Sequence, residues 1–373
     1  MKLNQQIQNS DTAEIRLLVP CGSMNEKEGE FGISHIVEHM NLAFVKNKKY
    51  AEVISGCTTY EYTEYRIGCS NRYKEVYEAL ELLLSIIEGR QLNKDNLPYV
   101  KEDILCEVTQ HKENPYFCLR NLLFSNILPE NIRNTLPVGK KEDIETISFD
   151  KIQRYFTYNY SYFGSAIFLS SGYDFSKMLK NDGECNVIKE YPDSFLKHEL
   201  KWTVNQLYYE RDKKVYSVYF IRNASIRTAE EYALQELEIY YFLTEFDTLL
   251  QKKVEEYIDA AVYENRIIRN LTIFTYEIQL DETESLNDID LKKIVRSVLR
   301  EMHFNLVVDR DKLQKTGDLL YNKFRNTNFF DKCRMDYLYG INYENFTEKF
   351  VHELCSTMSY GNIGEIIEKC VEI

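Results

Sequence analysis

Glycine and proline punctuate this chain sparsely, at 14 and 6 of 373 residues, and that scarcity limits its fold more than any other feature. An all-β sandwich needs turn residues at intervals of about 8–12 positions. Too few are present, so helices must carry much of the chain, with strands between them. The length gives room for two domains of ordinary size, each with its own core.

Periodicity supplies the order of elements. A strand at 14–20 (EIRLLVP) leads through a polar loop at 21–32 into a helix starting near Ile33. In that helix Ile33, Ile36, Val37, Met40 and Phe44 recur at helical spacing on one face, while His35, Glu38, His39 and Leu42 fall on another. The Thr- and Tyr-rich run at 57–70 alternates as a strand does. Helices are expected at 73–89, 96–113, 117–127 and 149–158, and a strand at 165–171. Residues 183–203, with Gly183, Pro192 and mixed charge, read as a linker. The same order then returns: a strand at 214–223, helices at 229–245 and 247–257, a strand pair within 258–280, and helices at 287–303 and 310–326. The expected fold is therefore α+β, with two similar domains at 1–182 and 204–373. Each would be a mainly antiparallel sheet with helices packed on one face.

Charge and cysteine content narrow the partners. The 46 basic residues against 59 acidic ones leave a net charge of −13, which repels a phosphate backbone, so nucleic acid is not an expected partner. No stretch approaches the roughly 18 apolar residues of a membrane span, and the N-terminus has no apolar signal core. The nine cysteines are odd in number and scattered, without a C-x-x-C pair. Reduced thiols and a cytoplasmic location are the expectation.

Chemistry concentrates in GISHIVEHM, where two of the six histidines flank a glutamate in the order H-x-x-E-H. His35 and His39, four apart on a helix, project to one side and could reach a single Zn²⁺ through their imidazoles. Glu38, one turn from His35, could hold a water, take its proton and pass it to a leaving amine. A third ligand is needed. The helix VKEDILCEVTQHKENP offers acids, and Glu107 lies among the apolar residues Val100, Ile104, Leu105 and Val108, unlike Glu102 and Glu113. Glu107 is the best single choice; His111 is a rival ligand, a partner to the ligands, or an ordinary solvated histidine.

With these residues in place, LLVPCGSMNEKEGEFGISHIVEHMNLAF resembles the strand, Gly-Ser loop and zinc helix of the pitrilysin/insulinase metallopeptidases. The run ISGCTTYEYTEYRIGC is similar to that family's substrate-edge strand, DILCEV to its third-ligand helix, and LPVGKKEDIETISFDKIQRYFTYNY to the segment closing its first domain. The resemblance runs from residue 12 to about 175, and the second half matches only in pattern. It implies that His35, His39 and Glu107 hold zinc, that Glu38 is the general base, and that Ser55, Gly56, Cys57 and Thr58 pair with an extended peptide. Active members also carry an Arg and a Tyr seven residues apart that grip the substrate carbonyl. Here Lys253 and Ala260 stand in those places. The resemblance thus implies a zinc endopeptidase half that works as a heterodimer with a homologous subunit supplying the missing pair. In isolation the chain could self-associate into an unproductive homodimer. By analogy the task is leader or precursor processing, as in bacteriocin pathways, and the competing implication is a non-catalytic scaffold or peptide-binding subunit.

Overall fold

Strand β2 (Thr12–Val19) shows how the first unit is built. Its odd-numbered Ala13, Ile15 and Leu17 are buried against helices, as period-two alternation requires, while Leu18 is buried on the opposite face. The computed structural model describes residues 1–45, 50, 53–113, 136–178, 201–210, 213–223, 226, 228–254, 264–268, 271–281, 288–305 and 307–359. They divide into two units.

In the first, β1 (Lys2–Ile7), β2, β3 (Ile54–Thr58), β4 (Thr63–Ser70) and β5 (Ala166–Ser171) form one sheet in the spatial order β1-β5-β2-β4-β3. Only β1 and β5 run parallel; the other pairs are antiparallel. Helices α1 (Ile33–Val45), α2 (Tyr73–Ile87), α3 (Leu97–Glu113), α4 (Lys141–Thr146) and α5 (Phe149–Asn159) contribute to the core on one side. There Ile36, Val37 and Met40 of α1 meet Ile15, Leu17, Tyr65, Ile67 and Ile167 of the sheet.

The 57–70 run is two strands, not one. Thr59 to Tyr62 turn the chain, and the N–H of Thr59 donates to the carbonyl of Tyr62 at 2.9 Å. Alternation continues through the turn, so periodicity alone could not break it. Strand β1 carries no sequence signal, because KLNQQI has no apolar alternation and lies at the sheet margin, where little of it needs burial.

In the second unit β6 (Lys201–Glu210), β7 (Lys213–Asn223), β8 (Glu264–Ile268) and β9 (Leu271–Asp281) form an antiparallel sheet ordered β6-β7-β9-β8. Its helices are α6 (Ala229–Gln251), α7 (Asp288–Asn305), α8 (Arg310–Asn326) and α10 (Glu348–Thr357), with α9 (Phe329–Tyr339) between the last two in sequence. The expected break near residue 246 is absent. Without glycine or proline to stop it, α6 runs on from a Thr228–Glu231 capping box, and Phe242 and Phe246 pack edge-on to Phe220 at 5.1 and 5.6 Å. Of the linker at 183–203, residues 183–200 fall outside the described residues and Lys201 already begins β6.

The boundary at 204–373 is departed from in one place, since residues 328–338 belong to the first unit. Phe330, Cys333 and Tyr337 of α9 cover Leu18, Ala166 and Phe168 on the sheet face opposite α1. The Arg16 guanidinium lies 4.3 Å over the Phe330 ring, Arg334 reaches Glu64 at 3.4 Å, and Lys2 pairs with Asp336 at 2.6 Å. Helices therefore lie on both faces of this sheet, and all six residues of β5 are buried. The stripe in α9 announces a helix, but nothing in it says which sheet it covers.

A buried ion pair ties α6 to α8: Lys323 Nζ meets Glu236 at 2.7 Å, and the glutamate side chain is 1% exposed. Burial pushes the Glu236 carboxyl up in pKa and Lys323 opposes that. Lys323→Met should therefore destabilise the protein by about 2–4 kcal/mol, because it leaves a buried acid uncompensated. The lysine is 38% exposed, so solvent screens part of the interaction. Urea denaturation measures it, and an unchanged midpoint would refute the role assigned to the pair.

Candidate metal centre

Helix α1 begins where its loop is clamped. Gly32 adopts φ 105°, in the left-handed region that glycine tolerates, and passes the chain into the first helical turn. Glu26 reaches back to that turn. Its buried carboxylate accepts the backbone N–H of Gly32 at 2.8 Å and of Ser34 at 3.0 Å, together with the Ser34 hydroxyl. Two donors that an α-helix leaves unpaired at its start are thus satisfied by one side chain, and burial pushes its carboxyl up in pKa to about 8, against the opposing hydrogen bonds from Ser34 and Gly32. Glu26 carries no signal in the sequence, because it is one of three loop glutamates with Glu28 and Glu30, and nothing in the pattern separates them.

From this fixed start His35 and His39 project one turn apart, with side chains 11% and 13% exposed. Their rings meet edge to face with centroids 4.6 Å apart. Glu107 arrives from α3, presenting Oε2 to His35 Nε2 and Oε1 to His39 Nε2, each at 3.4 Å. Ligand atoms of the three residues lie within 4.8 Å of one another, the one such His/Cys/Asp/Glu group among the described residues. Helices 1 and 3 thus join residues far apart in sequence.

The electrostatics suit a cation. Burial, then the neighbouring His39, lowers the His35 pKa to about 3, with the backbone of Val138 opposing and His111 adding to the effect. His35 is therefore neutral at physiological pH, the form in which imidazole binds a metal. Two imidazoles and one carboxylate match the three protein donors of a catalytic zinc site, so the side chains present fit Zn²⁺. His111, one turn beyond Glu107 on α3, acts on His35 electrostatically but is outside the convergent three.

Glu38 lies beside the cluster and is 4% exposed. The Thr58 hydroxyl donates to its Oε2 at 2.9 Å. Strand β3, carrying Ser55, Gly56, Cys57 and Thr58, is an edge of the sheet, bonded among the described residues only to β4. Cys57 is held as a protonated thiol, its pKa pushed up by desolvation and then by the Glu38 and Glu64 carboxylates. In the second unit Lys253 forms an ion pair with Glu301 at 2.8 Å, and Ala260 lies outside the described residues.

Comparison with known proteins gives three kinds of match. The model of the insulinase family (peptidase family M16) matches residues 3–137. The zinc protease PqqE of Helicobacter pylori is 24% identical over 158 residues, which cover 39% of this chain and 35% of that protein. The chain thus aligns with about a third of the length of this curated relative. Among solved structures, the periplasmic protease PqqL of Escherichia coli superposes with a TM-score of 0.72 at 11% identity, covering 98% of this chain and 44% of PqqL. A peptidase M16 inactive domain from Pseudomonas fluorescens gives 0.71 at 13% identity, covering 99% of this chain and 91% of its own. At these identities the two structures establish the α+β fold.

Proposed function

We propose that this chain, whose residues 3–137 match the model of the insulinase (M16) peptidase family, is the zinc-bearing half of an endopeptidase acting on short, extended peptides. The convergence of His35, His39 and Glu107 within 4.8 Å, with Glu38 beside them, carries the reading. A scaffold has no need for that set.

Zinc bound at the three donors would supply Lewis acidity toward the scissile carbonyl and the attacking water. Glu38 is placed to take the proton of that water and deliver it to the leaving amine. The substrate backbone would seat on β3. The bonds from Thr59 N–H to Tyr62 and from Gly68 N–H to the carbonyl of Val53 fix the hydrogen-bonding register of the hairpin. In an antiparallel pair, inward-facing groups recur at every second residue. Residues 53, 55, 57 and 59 therefore spend their backbone groups on β4. Ile54, Gly56 and Thr58 turn theirs toward the edge, where a peptide strand can pair. Of the four residues expected to bind substrate, Gly56 and Thr58 offer edge hydrogen bonds, while Ser55 and Cys57 offer side chains on the opposite face.

The oxyanion donor is assigned to a homologous subunit, because Lys253 is engaged with Glu301 and no tyrosine stands at position 260. Work in the cytoplasm on peptide leaders or precursors, as in bacteriocin maturation, is part of the proposal, and the thiols of Cys57, Cys106, Cys333 and Cys355 suit a reducing compartment. The competing reading, a peptide-gripping subunit without chemistry, is favoured by the likeness to the inactive domain from Pseudomonas fluorescens. Retention of all four site residues weighs against it.

Purified protein should hold about one zinc per chain. His35→Ala and His39→Ala should each lose stoichiometric zinc, as read by elemental analysis. Equal metal content in wild type and both variants would sink the metal site and the endopeptidase reading with it.

A further inference from the structure

Strand β3 offers Glu38 more than a neighbouring backbone. Its burial alternates, with Ile54, Gly56 and Thr58 the more covered positions and Ser55 and Cys57 the more exposed. The covered positions face α1, where two contacts bracket one carboxylate. The Thr58 hydroxyl donates to Glu38 Oε2 at 2.9 Å. The other oxygen lies over the Cα of Gly56, where an added Cβ would sit 2.5 Å from Oε1 and 2.8 Å from Cγ. Only a residue without a side chain leaves room for the carboxylate there.

We propose that Thr58 is a positioning residue, which together with the cleared space at Gly56 holds the Glu38 carboxylate in its working orientation; the proposal rests on the endopeptidase reading above. A glutamate has three side-chain torsions, and a general base works only while a lone pair faces the proton it removes. Donation to Oε2 fixes the plane in which the carboxylate meets that proton. Threonine suits the task because its branched Cβ stiffens χ1, so the hydroxyl has few other places to go. Gly56 and Thr58 also turn their backbone groups to the open edge. A peptide seated there would stiffen the segment that carries the hydroxyl, linking an occupied edge to an aligned base.

The test compares Thr58→Val, which keeps the shape and removes the hydroxyl, with Thr58→Ser, which keeps the hydroxyl. Each full-length variant is loaded with zinc and assayed with the homologous subunit that gives wild-type turnover. Thr58→Val should keep about one zinc per chain and leave KM within about twofold, while kcat falls roughly 10- to 100-fold. Thr58→Ser should recover most of the loss. In a Glu38→Gln background Thr58→Val should cost little more, since Thr58 acts through that carboxylate. Infrared spectra of the metal-free protein give a readout independent of turnover. The carboxylate stretch that disappears in Glu38→Gln should shift in Thr58→Val and stay in Thr58→Ser. Wild-type kcat in Thr58→Val, equal losses in both variants, or an unmoved infrared band overturns the proposal while the endopeptidase reading stands. No cleavage by the wild-type chain with any homologous subunit overturns both.

Discussion

Glu38→Gln is expected to keep about one zinc per chain and to lose peptide cleavage by about 10²–10⁴-fold, the range for removing a positioned general base. The two outcomes separate because Glu38 lies outside the convergent donors, which are His35, His39 and Glu107. Glutamine keeps the length of the side chain and can still accept the Thr58 hydroxyl, so the fold around β3 should survive. What it cannot do is take a proton at neutral pH. Elemental analysis and steady-state turnover on the same preparation decide the matter. Cleavage at the wild-type rate would remove Glu38 from the chemistry, and loss of zinc together with activity would mean that it supports the metal instead.

The sequence made this site unusually readable, for a specific physical reason. His35, Glu38 and His39 lie within one helix, where spacing alone sets geometry. Glu107 required one more step, because its helix had to be placed beside the first, yet the apolar stripe of Val100, Ile104 and Val108 already declared which side of α3 is buried. The unexpected features depend on contacts between segments distant in sequence. Glu26 is a cap only because the loop folds back over Ser34. The hydroxyl of Thr58 finds Glu38 across 20 residues. Helix α9 joins the first unit through Arg334 and Glu64, which are 270 residues apart. Periodicity reports which face of an element is covered and is silent about what covers it. That silence also explains why the fold class could be read while the unit boundary at 328–338 could not.

Lys253 and Ala260 lead to the other large effect. If the donor that stabilises the oxyanion sits on a second subunit, turnover by this chain alone should be about 10²–10³-fold below that of the assembled pair, the loss usual for one missing oxyanion donor. Lys253 cannot make up the deficit while its ammonium is held by Glu301 at 2.8 Å. Freeing it by Glu301→Gln should therefore raise the activity of the chain alone far less than adding the partner does. Restoring a phenol by Ala260→Tyr, together with Lys253→Arg, is the more telling change. A homodimer of that double variant would carry both the zinc ligands and the donor pair, and should gain turnover without a partner. The measurement is kcat/KM on one peptide for the chain alone, the double variant alone, and the chain with candidate homologous subunits. Full turnover by the unmodified chain, with no gain on mixing, would place the oxyanion donor within this chain and rule out a heterodimeric site.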